Sequence, residues 1–115
     1  DLRFPNMYRA SAHAGTELFI VASAWPRPRC NVMRTLVTAR AAENQAFLAF
    51  CNRTGPAADG THFCGGSCVV SPTGEILLDL GNEENAGAVD VQTREVKAIR
   101  RMFNVLGDEI AGVDR

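Results

Sequence analysis

The sequence predicts an α+β fold, a small sheet with helices on one side, in the element order α-β-α-β-β-β-β-α. Three observations predict it. Leu18 to Ala22 and Ala46 to Cys51 are short apolar runs of strand length, bounded by turn-forming residues. Apolar positions recur at helical spacing after Pro5, Asn31 and Thr93. Ser71-Pro72-Thr73-Gly74 carries proline and glycine where a reverse turn takes them, so the runs on either side form a hairpin.

Composition sets the bounds. At 115 residues, 46% apolar and 22% charged, the chain is one globular unit or part of one. A chain of this size buries about 65% of its unfolded surface, enough for a single core. A net charge of -1 gives no pull toward nucleic acid or anionic lipid. No apolar run approaches the ~20 residues a membrane helix needs. The four cysteines, Cys30, Cys51, Cys64 and Cys68, lack the spacing of a disulfide framework. The expectation is therefore reduced thiols in a cytoplasmic setting, some of them acting as small hydrophobes.

Taken in order, Pro5 suits the first turn of a helix, along which Met7, Ala10 and Ala14 share a stripe. Gly15 suits its C-terminal end. Leu18 to Ala22 reads as a strand buried on both faces. The two prolines in Trp25-Pro26-Arg27-Pro28-Arg29 exclude helix and strand there. They make a rigid loop at the end of a buried strand, where pockets form in α/β architectures. Asn31 is placed as the cap of a helix running to about Asn44, with an inward stripe of Met33, Leu36, Arg40 and Glu43. Periodicity alone leaves open whether Arg40 and Glu43 are a solvated pair or a buried polar cluster. Ala46 to Cys51 is a central strand and Asn52 to Thr61 a loop. Gly66 to Ser71 and Glu75 to Leu80 form the hairpin, and Ala86 to Val91 a further strand. Thr93 opens a last helix that turns Val96, Ile99 and Phe103 inward. The polar tail from Gly107 is expected to be loosely held.

The candidate chemistries are few. His62, Cys64 and Cys68 lie close in sequence, but a zinc site needs paired ligand motifs and only one pair is present. Cys30 follows Arg27 and Arg29 at a helix start, which lowers a thiol pKa, yet neither His13 nor His62 is an evident base for it. Cys64-Gly65-Gly66-Ser67 lacks phosphate-loop spacing. The arginines of the 25–29 loop suit an anionic substrate, though exposed arginines on a rigid loop are often only solubilising.

Three blocks, in order, resemble the carbon–nitrogen hydrolase (nitrilase) superfamily. Asp1-Leu2-Arg3-Phe4-Pro5 is similar to the segment after the family's catalytic cysteine, C-Y-D-L-R-F-P-E. Arg40-Ala41-Ala42-Glu43-Asn44-Gln45 is similar to R-A-x-E-N-Q. Gly66 to Glu75 is similar to the hairpin G-x-S-x-V-V-x-P-x-G-E. The Trp25 to Arg29 loop resembles the omega-amidase branch.

The resemblance implies a partial domain over residues 1–115, the C-terminal half of a four-layer α-β-β-α sandwich. It implies a Glu-Lys-Cys mechanism in which a Cys thiolate attacks an amide carbon and forms a thioester. None of the three catalytic residues falls on this sequence. The Cys is expected two residues before Asp1 and the Glu and Lys further upstream, so the chain alone is expected to be inactive. What the resemblance places here is support: Arg3 near the nucleophile turn, able to pair with Glu43 or hold a substrate carboxylate; Trp25 at the substrate mouth, or else a structural brace of the proline loop; Arg27 as a second carboxylate partner; Glu43 and Asn44 at the end of a helix beneath the site. It favours the buried-cluster reading of Arg40 and Glu43. It implies a small linear amide as substrate, no cofactor, no metal, and homo-oligomers built through helix faces. Asn6, Val32, Met33 and Asn104 depart from the family pattern and mark where the pocket and subunit contacts differ. Two other readings are a non-catalytic oligomerisation or binding module of the same fold, and a small metal-binding domain at Cys64 and Cys68.

Overall fold

In the computed structural model, which describes residues 1–114, the elements run α1 (Pro5–His13), β1 (Leu18–Ser23), a 3₁₀ turn (Arg27–Arg29), α2 (Cys30–Asn44), β2 (Phe47–Asn52), β3 (Cys68–Val70), β4 (Ile76–Asp79) and α3 (Arg94–Met102). The strands form one sheet in the order β1-β2-β3-β4. β1 and β2 are parallel, from Leu18 opposite Phe47 to Ser23 opposite Asn52. A parallel pair needs a long crossover, which the 3₁₀ turn and α2 supply. β3 and β4 then add antiparallel through the turn at Ser71, closed by Gly74 N–H to Ser71 O at 2.9 Å.

One face of the sheet carries the core. Phe19, Val21, Leu48, Phe50 and Val70 meet Tyr8 and Ala12 of α1 and Met33, Val37 and Ala41 of α2. Tyr8 stacks edge-on against Phe19, with ring centroids 5.1 Å apart. Burial pushes the Tyr8 phenol pKa up, opposed by the nearby Arg40 charge. Residues paired across strands share a face, so Ile20, Ala49, Val69 and Leu78 form an apolar row on the opposite side. Ile20 in that row is 79% exposed. The expectation of helices on one side, with the other side left for something else, holds.

Several expectations need correction. β1 alternates exposed and buried residues and is not buried on both faces, because helices cover only one side of it. α1 buries Tyr8 and Ala12 and leaves Met7 exposed. In α2 the buried positions are Met33, Val37, Arg40, Ala41 and Asn44; Leu36 and Glu43 lie at the margin. Asn31 sits inside α2, whose cap position is Arg29, and no side chain caps the helix. Residues 86–91 form no strand: they carry no regular structure, pair with no strand and are mostly exposed. Phe103 is 64% exposed, whereas Val96 is fully buried. The tail is tied down: Glu109 takes Arg9 Nε at 2.8 Å and His13 Nε2 at 2.6 Å.

Two backbone positions require glycine or near it. Gly15 ends α1 with φ +101, and Gly65 has φ +61 in a place where a Cβ would lie 2.9 Å from Gly81 O. Gln45 takes φ 50 at the end of α2, an αL cap that asparagine or glycine usually fills. Its amide is held by donating to Phe103 O at 2.8 Å.

Candidate active site

The site lies where the two parallel strands end. Ser23 and Asn52 are paired at the carboxyl ends of β1 and β2, the edge at which open α/β sheets place ligands. Just beyond, the Trp25 N–H donates to Asn52 Oδ1 at 2.8 Å, and Asn52 Nδ2 donates back to Trp25 O at 3.4 Å. Asn52 is 4% exposed. Its side chain thus does for this loop what a ladder partner does for a strand. The Cys64 N–H donates to Trp25 O at 2.9 Å and the Arg27 N–H to His62 O at 3.0 Å, so the 25–29 loop runs beside residues 62–64.

Trp25 is buried and presents its ring to a cavity of about 530 Å³ lined by Asp1, Arg3, Phe4, Ser23 and Arg29, among others. The Arg3 guanidinium stands 5.0 Å and that of Arg29 6.0 Å from the ring centroid, both in cation–π range. Two guanidiniums over one aromatic ring, with Asp1 the single acidic side chain in the lining, give the cavity a wall whose chemistry suits an anion.

Behind it, Arg40 holds the first turn. Arg40 is 7% exposed; its Nε donates to Leu2 O at 2.8 Å and its Nη1 to Glu43 Oε1 at 2.7 Å. Leu2 is fully buried, between the two cavity residues Asp1 and Arg3. Asn44, also fully buried, donates from Nδ2 to Arg40 O at 2.8 Å. Arg100 reaches Asn44 O at 3.1 Å and Thr16 O at 2.8 Å. Burial lowers the Arg100 pKa, opposed by Glu17.

The structure brings Arg3 and Trp25 together. Glu43 and Asn44 stand behind the site, not in it: Glu43 pairs with Arg40 rather than with Arg3 and faces a groove beside Pro5 and Arg9. Arg29, not Arg27, is the loop arginine over Trp25. Residues two apart in a 3₁₀ turn point about 120° apart, so only one of the pair can face the ring. Sequence alone misses Leu2 and Asn52, and singles out Arg27 where the structure sets Arg29. A buried leucine flanked by charges was the available signal for the first; nothing local marked the second.

The cysteines also depart from expectation. Cys30 and Cys64 form a disulfide, with Cα atoms 5.7 Å apart. Cys30 therefore offers no thiol as a nucleophile, and Cys64 is not free to join Cys68 as a metal-ligand pair. Among the described residues no group of three or more His, Cys, Asp or Glu side chains could hold a metal ion. Cys68 borders a separate cavity of about 290 Å³ between α2 and the β3–β4 hairpin. Burial, with a smaller push from Asp79, raises its thiol pKa to about 11, which suits an inert core thiol. No helix among the described residues is long and apolar enough to cross a membrane.

Comparison with known proteins gives one consistent picture. Residues 1–101 match the family model described as carbon–nitrogen hydrolase. An (R)-stereoselective amidase from Pseudomonas sp is 39% identical over 108 residues, 94% of this chain and 39% of the relative. A 2-oxoglutaramate amidase from Bacillus subtilis is 34% identical over 108 residues, 94% of this chain and 41% of the relative. The crystal structure of a CN-hydrolase superfamily protein from Xanthomonas campestris, with an arsenic adduct in its active site, superposes with a TM-score of 0.87 at 26% identity. It covers 98% of this chain and 45% of that one. The chain thus spans about two-fifths of the length of the relatives it matches.

Proposed function

The chain belongs to the carbon–nitrogen hydrolase family, and from that premise we propose that the protein it forms part of hydrolyses the terminal amide of a small linear acid. The substrate class is an omega-amide of the 2-oxoglutaramate kind, with a carboxylate at one end and an amide at the other. The observation that supports this reading is the pair of guanidiniums, Arg3 and Arg29, over Trp25 in one cavity. Trp25 packs against the short carbon chain while an arginine holds the carboxylate, which fixes the distance to the amide.

In this reading the reacting groups lie outside this chain. A cysteine thiolate adds to the amide carbon, and the oxyanion is stabilised by a lysine and a backbone N–H. The nitrogen leaves as ammonia after protonation, and water, deprotonated by a glutamate, hydrolyses the thioester to the acid and regenerates the thiol. This chain's residues position: Arg40 holds Leu2, with Asn44 bonded to the Arg40 backbone, and Leu2 places Asp1 and Arg3 at the cavity. We place the protein in the cytoplasm, assembled as a homo-oligomer through the exposed sides of α1 and α2, where Met7 and Val32 are exposed.

The test uses the full-length protein and two substrates, an omega-amide acid and the same amide with its carboxylate replaced by a neutral group. A charge-assisted hydrogen bond contributes about 1.5–3 kcal/mol. Arg3→Ala is therefore expected to lower kcat/KM for the acid by about tenfold to a hundredfold, with much less effect on the neutral analogue. Equal losses on both substrates would refute carboxylate recognition by Arg3.

A further inference from the structure

We propose that Cys30 and Cys64 form a reversible thiol–disulfide site that sets how firmly the Trp25 loop is held. The inference rests on where the bond lies and does not depend on the reaction proposed above. Cys30 is the first residue of α2, directly after the turn that carries Arg29. Cys64 lies on the segment that accepts the Arg27 N–H and donates to Trp25 O. The bond therefore joins the loop that lines one wall of the cavity, through Trp25, Pro26 and Arg29, to the neighbouring segment that backs it. Its partners are 34 residues apart, so it closes a loop containing α2 and β2.

The rest of the contact between these segments is weak. It consists of the two backbone bonds just named, which together make an isolated antiparallel bridge at Pro26 and Phe63, and a contact of Cys64 Sγ with Pro26 O at 3.1 Å. The side chains of Arg27 and Arg29 add no hydrogen bond or ion pair there among the described residues. Asn52 holds Trp25 itself; beyond those contacts, and among the described residues, 26–29 have the Arg29 N–H to Pro26 O bond at 3.0 Å and the Arg29 contact with the Trp25 ring, but no buried side-chain brace of that kind. Reduction thus removes the one covalent constraint from a segment with little else to fix it, and Arg29 is carried on that segment.

Access makes the site reversible and directional. Cys64 is 2% exposed, whereas Cys30 is half-buried. An incoming thiolate, from glutathione or a dithiol protein, attacks Cys30 Sγ. The Cys30–Cys64 bond breaks, a mixed disulfide forms on Cys30, and Cys64 leaves as a thiolate that takes a proton. A second thiolate attacks the external sulfur of the mixed disulfide, releasing the oxidised reagent and the Cys30 thiolate. Two electrons pass from two thiols to the protein disulfide. In the reverse step the more accessible Cys30 thiolate attacks the oxidised reagent, and Cys64 then attacks Cys30 Sγ and displaces the reagent thiolate. Cys51 and Cys68, which are unpaired, take no part.

The experiment is done on the full-length protein in glutathione buffers of graded thiol-to-disulfide ratio. The pair is trapped by alkylation after denaturation and read by peptide mass spectrometry. Hydrogen exchange is measured on the same samples. The Cys30–Cys64 cross-linked peptide is expected without reductant and is expected to be lost reversibly as the ratio rises. Peptides covering residues 25–30 and 62–65 are then expected to exchange several-fold faster, while the β2 peptide is unchanged. A pair that never cross-links, or that stays bonded at every ratio, overturns the proposal. So does reduction without faster exchange in the two segments, which would leave the bond with no hold on the cavity wall. Because reduction is applied to the natural sequence, no variant has to fold.

Discussion

Replacing Arg40 with leucine tests the central structural claim, that a buried guanidinium anchors the turn bearing Arg3. The leucine fills most of the volume of the arginine stem but removes both hydrogen bonds. The bond to Leu2 O is charge-assisted and buried, which makes it worth about 1.5–3 kcal/mol. Its loss also strands a carbonyl of a residue with no solvent exposure. The bond to Glu43 counts for less. The Glu43 side chain is 36% exposed and can turn to water, so the pair adds at most about 1 kcal/mol. Together the expected loss is about 2–4 kcal/mol. With a urea m-value of about 2 kcal/mol/M, the middle of the usual range, the midpoint falls by about 1–2 M. Glu43→Gln keeps an acceptor for Arg40 and is expected to cost under about 1 kcal/mol. The asymmetry is the prediction, and paired urea titrations measure it. If Arg40→Leu falls within about 0.5 kcal/mol of the parent, or matches Glu43→Gln, then Arg40 does not anchor the turn.

Two further outcomes follow from named contacts. Asn52→Ala removes the acceptor for the Trp25 N–H in a buried setting and is expected to cost about 1–3 kcal/mol in unfolding free energy, with a red shift of Trp25 fluorescence in the native protein; an unchanged emission spectrum would contradict the bracing role. Cys68, with its thiol pKa raised to about 11, binds its proton more tightly folded than unfolded, so its stabilising contribution is intact below the ordinary thiol value and is lost as pH rises toward 11. At pH 8 the folded protein is expected to hold about a hundredfold less Cys68 thiolate than an ordinary thiol would, and iodoacetamide should modify it correspondingly slowly until the chain is unfolded; rapid native-state modification would contradict this.

What was legible in the sequence follows the strength of local patterns. The runs that became β1 and β2 stood out because long apolar stretches between turn formers leave few alternatives. The turn at Ser71 was legible because proline and glycine restrict backbone angles directly. The face of α1 was misjudged because alanines at 10, 12 and 14 put small apolar residues on both sides, so only the contact of Tyr8 with Phe19 decides. Residues 86–91 have strand-like alternation but pair with neither edge strand of the sheet, β1 or β4, and propensity alone does not make a strand. The Cys30–Cys64 pair illustrates the remaining gap. Disulfide connectivity is a statement about two distant segments meeting, and no local pattern carries it.

The same division runs through the site. Arg3 and Trp25 belonged to short motifs and were placed before any geometry was known. Asn52 and Arg29 were not, because their roles depend on register and turn geometry. The parallel pairing sets Asn52 beside Ser23, and that one register puts its amide within reach of Trp25. A slip of one residue would turn the side chain to the other face of the sheet. The 3₁₀ turn then selects Arg29 over Arg27 for the ring. The cavity is thus specified twice: by motif residues whose chemistry suits an anion, and by strand register and turn pitch that aim them. A substitution that kept every motif residue but shifted the β1–β2 register would still abolish the site.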